Sequence, residues 1–409
     1  MSVYTVLPND DWATISRNVY GVETEASRLS RANPGVNEPL SVGTIIFTPP
    51  SLTKRLPSVL LPSSNNPNEV TVLIEGTRFR QWDTVTINDE IDELATASFT
   101  TSTDVLNTEF ANAFKPFSFS PIEIYIGGVL RFTGQMVLPS PNVQANSATL
   151  TMECYATPGN IQDCTAAASD FPIEYNDLNL LEIAQSLCEP YGVKVETDFD
   201  PGPPFDRVAL NAGTKIFSFL ADLGKQRNIM WTSSPIGTLQ GIQSVEPGSP
   251  VAVLQEGEVP LTGVQAQFNP QSYYSHITGL RTALLGNDGE QYTVKNSRIE
   301  GILRPFIFTA DDTEEGNLQK AVENKAGLMF GNTVNYSLSL ASWRDPNGQL
   351  WKANTTVKVT SPRAYISSPY EFLVKGVTLA RDSNQEVAEL RLVLPGSYSG
   401  KVPETLPWD

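Results

Sequence analysis

One histidine, three cysteines and two runs of carboxylates are the side chains in this sequence with the most chemistry to offer. His276 stands alone, which excludes a His-rich metal site; a Ser-His-Asp or Cys-His mechanism would have to run through that one ring. Placed between Tyr274 and Ile277 in a strand-like stretch, it reads as a packed or surface residue. Cys154, Cys164 and Cys188 are odd in number and lack C-x-x-C spacing, which argues against a disulfide framework or a zinc ribbon. Cys154 and Cys188 are expected to be buried small hydrophobes. The run Asp311-Asp312-Thr313-Glu314-Glu315 has the look of a catalytic pair or a cation site. It directly precedes Leu318, Ala321, Val322, Lys325 and Leu328 at helical spacing, however, and the first turn of a helix favours negative charge, so a cap is predicted. Asn88-Asp89-Glu90 with Asp92-Glu93 lacks the alternating ligand spacing of a calcium loop and is expected to be a solvated turn. Neither run places two carboxylates across a sugar cleft. No enzyme, no metal site and no cofactor is expected.

The composition narrows the field further. The chain has 409 residues, room for two to four domains at roughly 100–200 residues each. Apolar residues make up 40% and charged ones 18%, a globular balance. There are 28 basic against 45 acidic residues, a net charge of −17, and no Lys/Arg cluster, so tight binding to nucleic acid or to an anionic membrane is not expected. The N-terminus carries no basic segment followed by an apolar run, and no stretch approaches the roughly 18 apolar residues of a membrane span. A soluble protein made in the cytosol is expected.

The elements that must position these residues fall into blocks. Residues 1–50 read β-α-α-β: a strand Val3 to Val6, a helix with Trp12, Ile15, Ser16 and Val19 on one face capped by Asp10 or Asp11 and ended by Gly21, a second helix from Ala26 to Arg31, the turn Asn33-Pro34-Gly35, and a strand Thr44 to Phe47. Residues 51–69 are a Pro/Ser-rich linker. From Val70 the period is two, with Gly127-Gly128 marking a hairpin, which makes 70–165 a β domain. Residues 166–245 form a small α+β domain: Asn176 or Asp177 is expected to cap a helix carrying Leu180, Ile183, Ala184, Leu187 and Cys188, and a second helix follows Thr214. Strands dominate again over 246–354, with one helix, and hairpins continue to about residue 400. Residues 401–409 form a tail. The fold class is multidomain α+β, mostly β. Trp343 and Trp351 flank a tight turn and are assigned to a barrel core.

Tyr4-Thr5-Val6, Asp10, Ile15, Tyr20-Gly21, Asn33-Pro34-Gly35, Val42-Gly43-Thr44 and Pro49 together resemble the LysM module. The resemblance implies binding of N-acetylglucosamine-containing glycans such as peptidoglycan between two loops, here Asn9, Asp10, Asp11 and Trp12, and Asn33, Pro34, Gly35 and Val36. Where the family has Gly-Asp-Thr-Leu this chain has Asn9-Asp10-Asp11-Trp12, and the added carboxylate favours a docking or packing module over a sugar site.

A second resemblance spans Val70 to Tyr398. Leu180-Leu181-Glu182-Ile183-Ala184, Leu187-Cys188-Glu189-Pro190-Tyr191-Gly192, Gly213-Thr214-Lys215-Ile216-Phe217, Trp343-Arg344, Gly348-Gln349-Leu350-Trp351, Val357-Lys358-Val359 and Leu390-Arg391-Leu392-Val393 resemble, in order, the baseplate hub proteins of Mu-like phages. The resemblance implies two tube-like antiparallel β-barrel domains, the first over 70–165 and completed by about 355–400, the second over 246–354. It implies a homotrimer that adapts the sixfold tail tube to the threefold central spike and lines the DNA channel. The implied partners are the spike, tail tube and baseplate wedge proteins and the tape measure protein; the implied location is the virion, assembled in the host cytoplasm. Two alternatives stand beside it: a peptidoglycan-binding tail-tip protein, and a wall-degrading enzyme with a targeting module.

Overall fold

A computed structural model describes residues 2–20, 26–48, 66–79, 82–103, 108–145, 147–281, 289–299, 301–309, 318–382, 385–400 and 405–409. The chain divides into two compact units, one of residues 1–83, 96–220 and 233–240, the other of 84–95, 221–232 and 241–409. The Gly21 helix end, linker residues 51–65, the Asp311–Glu315 cap and residues 401–404 lie outside the described residues.

The first unit opens with the expected β-α-α-β order: β1 (Ser2–Thr5), α1 (Trp12–Tyr20), α2 (Ala26–Arg31) and β2 (Ile45–Thr48). β1 and β2 pair antiparallel, Tyr4 opposite Ile46. The helical spacing of Trp12 and Ile15 has a direct outcome, because both side chains pack with Val6, Leu29 and Ile46 in one small core. The main sheet of this unit is antiparallel, in the order Thr96–Ser102, Ser147–Ala156, Val129–Gln144, Pro121–Ile126, Val70–Ile74, Thr77–Phe79. Gly127 and Gly128 both take positive φ at its hairpin, as that tight turn requires. Among the described residues the order is open rather than a closed barrel. Aromatic side chains fill the gap between the end strands: Phe79, Phe99, Phe110 and Phe114 form a ring-on-ring cluster with centroids 4.6–5.9 Å apart.

The α+β segment corrects one expectation. Neither Asn176 nor Asp177 caps a helix: both lie in the strand Ile173–Leu178, which pairs antiparallel with Phe205–Leu210. The helix Leu180–Cys188 starts instead at Asn179, whose side chain accepts from the Glu182 N–H at 3.0 Å while Glu182 accepts from the Asn179 N–H at 2.8 Å. This reciprocal capping box satisfies two orphan donors at once. The helix buries Leu180, Ile183, Ala184, Leu187 and Cys188, the apolar face the spacing predicted. A second helix, Ile216–Lys225, follows.

The second unit orders its strands Leu261–Phe268, Val334–Leu340, Glu386–Val393, Ile366–Arg381, Thr84–Glu90, all antiparallel. Thr355–Ser361 pairs with Ile366–Arg381, and Ala252–Gln255 joins Thr355–Ser361 in parallel. The sheet of this unit is thus antiparallel except for that one pair, and among the described residues its order is again open. Residues 355–400 sit with 241–354 in this unit, and they meet the 70–165 block through strand 84–90, which lies in the same unit. Trp343 and Trp351 are buried, as assigned, each indole N–H donating to a backbone carbonyl: Trp343 to Val387 at 3.0 Å, Trp351 to Ser342 at 2.9 Å. A smaller mixed sheet centres on His276–Leu280, with Gln291–Lys295 antiparallel and Pro305–Thr309 parallel to it. The helix Leu318–Gly331 covers that sheet through Leu318, Val322 and Ala326 against Ile277, and only a glycine at 279 leaves room for Val322.

Candidate functional site

The eight residues singled out in the N-terminal module separate into two roles. The loops before α1 and after α2 do meet: Glu38 reaches across and accepts the Trp12 N–H at 3.1 Å. Asp11 caps α1, its Oδ1 accepting the Thr14 N–H at 2.6 Å, and hydrogen bonds from Thr14 hold its carboxyl below the usual carboxylate range. Asp10 accepts the Leu7 N–H at 2.7 Å. Trp12 is buried in the module core, so its indole face is not offered to a sugar. Asn33 is buried as well. Its Nδ2 donates to the carbonyls of Leu29 and Phe47, each at 2.8 Å, and its Oδ1 accepts the Phe47 N–H at 2.7 Å. It therefore fastens the end of α2 to β2. Val36 packs half-buried on the same core. Asn9, Asp11, Pro34 and Gly35 are the exposed members, with Asn9 and Gly35 at positive φ.

What the sequence did not suggest is the apolar outer surface of this module. Val3, Val42 and Ile45 are 62%, 62% and 68% exposed and Leu7 is 54% exposed. Val3 and Ile45 point away from the core on the strands whose Tyr4 and Ile46 point inward, and Leu7 and Val42 flank the Val6–Gly43 backbone hydrogen bond of 2.8 Å.

The acidic run at 88–93 is not a solvated turn. Glu90 ends strand 84–90 and is buried, its carboxylate paired with Arg391 and 3.7 Å from Lys375 Nζ. Lys375 also lies 3.7 Å from Asp92, and the Tyr398 hydroxyl donates to Asp92 at 2.9 Å. Thr232 Oγ1 lies within hydrogen-bond reach of the Glu90 and Glu93 carbonyls, at 2.8 and 3.0 Å. Between them Ile91 is fully buried against Met230, Leu373, Val393 and Tyr398. A cation fits the triad Glu90, Asp92 and Glu93 by distance alone. Two protein cations already occupy the space facing it, so the cluster is an ionic clasp rather than a metal centre. Burial, opposed by Arg391, pushes the Glu90 carboxyl above its ordinary value, and burial with the neighbouring Asp92 pushes the Tyr398 hydroxyl far above that of a free phenol. Nothing in the spacing of the acidic run marks it as buried; the cations that pair with it come from the hairpin 366–393.

The remaining candidates resolve as side chains without reactive poise. Cys154 and Cys188 are buried and burial pushes both thiols up, which removes the thiolate a nucleophile would need. Cys164 is exposed, yet its thiol is also raised. His276 lies half-buried in the mixed sheet, its Nδ1 3.0 Å from Ser275 Oγ. Among the described residues no helix is long and apolar enough to cross a membrane.

Residues 159–240 match the family described as baseplate hub protein gp44-like, second domain. That match takes in the capping-box helix and helix 216–225. Over a much longer span the chain is similar to the baseplate hub protein gp44 of Escherichia phage Mu, 24% identical over 327 residues that make up 76% of this chain and 84% of the Mu protein. The fold is shared with the 43 kDa tail protein of prophage MuSo2 from Shewanella oneidensis, at TM-score 0.70 and 21% identity, covering 81% of this chain and 99% of that one. It is shared equally with a tail protein of Neisseria meningitidis MC58, at TM-score 0.69 and 16% identity over 81% and 98%.

Proposed function

We propose that this chain is the structural hub subunit of a contractile phage tail baseplate, working by assembly rather than catalysis. The observation that carries the reading is the likeness to the Mu hub protein, which runs through most of both chains and contains the matched second domain. In this reading three copies form a ring. Each copy brings two units built on a largely antiparallel sheet, so the ring offers six, the arrangement needed to join a sixfold tail tube to a threefold spike. Tube, spike, wedge and tape measure proteins are the partners, and DNA passes along the ring's axis. Three copies carry 3 × (−17) = −51 formal charges, which suits a channel that phosphates traverse without sticking.

The N-terminal module is a docking element in this reading. Trp12 and Asn33, the residues best equipped to hold a sugar, are committed to its own core, while Val3, Leu7, Val42 and Ile45 offer an apolar surface. Light scattering tests the hub: a mass near three times 44.7 kDa is expected, and a strict monomer at high concentration overturns it. Retention on purified peptidoglycan, compared with and without residues 1–50, tests the module. Equal retention is expected, and loss of retention on deletion would return the module to glycan binding.

A further inference from the structure

A rigid aromatic hook projects from the first unit. The loop between Phe114 and strand 121–126 carries Phe117 and Phe119, both at positive φ (62° and 51°), a conformation that bulky side chains adopt only when their surroundings enforce it. The surroundings are visible. Ser120 Oγ donates to Glu75 at 2.8 Å and lies 3.2 Å from Ser118 Oγ, the Ser120 carbonyl accepts the Met136 N–H at 2.9 Å, and the Glu75 N–H donates to Pro121 O at 2.9 Å. Every polar anchor of the loop thus points back into the unit. Phe117 is left 80% exposed and Phe119 37% exposed.

The second unit carries a matching hollow. A groove of about 730 Å³ is walled by Phe268, Tyr273, Phe330, Tyr365 and Trp408, with Arg298 at its side. Phe268 stands at its centre, meeting Tyr336, Tyr365 and Trp408 edge-on at 5.9, 5.9 and 5.3 Å. The groove's polar groups are already engaged within the chain. Arg298 holds both Asp409 oxygens, at 2.9 and 3.3 Å; Asn269 Oδ1 accepts the Gln271 N–H at 3.0 Å; Thr333 Oγ1 donates to Phe330 O at 2.6 Å. A polar ligand such as a glycan would find few open hydrogen-bonding groups, whereas an aromatic side chain would gain edge-on partners and lose water.

We propose that the Phe117–Phe119 hook of one copy fills the aromatic groove of the next copy of this chain. The inference rests on the trimeric hub reading and names the contact that would close the ring. Hook and groove are made of different residues, one set in each unit, so the contact is heterologous, and closing it into a ring leaves no hook and no groove empty. A pinned aromatic anchor entering an aromatic pocket is also the arrangement that concentrates binding energy at protein interfaces.

The test uses the full chain with Cys164→Ser, Lys115→Cys and Gln271→Cys, exposed positions beside the hook and the groove that leave the aromatic side chains of both intact, treated with a short bismaleimide. Cys154 and Cys188 are buried and stay silent. Covalent species up to the trimer are expected, and an equal mixture of the two single-site variants should link only as dimers. In parallel, Phe117→Ala with Phe119→Ala should weaken self-association by about thirtyfold or more with unchanged far-UV circular dichroism, because loss of a central aromatic anchor costs at least that much. A trimer by light scattering that does not link through these positions, or that the double alanine variant leaves intact, overturns the hook but not the hub. A monomer overturns both.

Discussion

Asn33 shows how a residue can sit on a recognised site and do different work. Its three hydrogen bonds all go to backbone of the module itself, so Asn33→Ala leaves two carbonyls and one N–H without their partner. A loss of about 2–3 kcal/mol in the module's stability is expected, read as faster amide hydrogen exchange across α1, α2 and β2. A surface ligand residue would leave that exchange unchanged. Glu90 makes a second residue-scale prediction, through pH. Its carboxyl is raised in the folded state by burial, so the native protein holds that proton more tightly than the unfolded chain does. The sign follows: its stabilising contribution is present below the ordinary carboxylate value of 4.5 and is lost as pH rises through the raised folded value. Glu90→Gln removes that slope. Subtracting its stability-versus-pH curve from that of the parent should leave a difference that falls with rising pH just above 4.5 and then flattens; a difference that rises there refutes the assignment. Asp11, Glu256 and Asp409 work in the opposite sense, since hydrogen bonds lower each and their contributions fade as pH falls.

At the scale of elements, the sequence reported periodicity well and partnership poorly. The inner face of α1, the apolar face of helix 180–188 and the Gly127-Gly128 hairpin were all legible, because each follows from spacing within a dozen residues. Helical spacing pairs Trp12 with Ile15, while the resemblance places it among the glycan-binding residues; its burial in the module core shows which of the two signals governs it. Asn176 and Asp177 were misplaced as caps because strand 173–178 is stabilised by Phe205–Leu210, a partner with no local signal. Glu90 was misread for the same reason: its cations lie on the hairpin 366–393. The true cap gives a direct test, since Asn179→Ala should cost about 1 kcal/mol in denaturant unfolding, with Glu182→Ala smaller and the two not additive. A harsher case is Gly134, where an added Cβ would run into the Tyr155 carbonyl of the neighbouring strand. Backbone cannot swing aside as a side chain can, so Gly134→Ala should cost about 3 kcal/mol, the upper end of overpacking losses, seen as a lower denaturation midpoint at unchanged slope.

For the whole molecule, charge and the aromatic hook pull in opposite directions, and salt separates them. Each copy carries −17, so copies approaching one another are repelled over distances set by the Debye length, roughly 30 Å at 0.01 M salt and 8 Å at 0.15 M. An apolar contact between Phe117 and the groove around Phe268 is not weakened by that change, because burying aromatic surface does not depend on ion pairing. Self-association measured by sedimentation velocity should therefore strengthen from 0.01 to 0.15 M salt. Interfaces held by exposed ion pairs would do the reverse, since screening removes their attraction. The double alanine variant at Phe117 and Phe119 sharpens the comparison: with the apolar contact gone, raising salt relieves repulsion but leaves no hook to hold the copies together. Parallel salt curves for parent and variant, offset by a constant factor, are the expected outcome. Convergence of the two at 0.15 M would mean that repulsion alone limits assembly and that the hook contributes nothing to it.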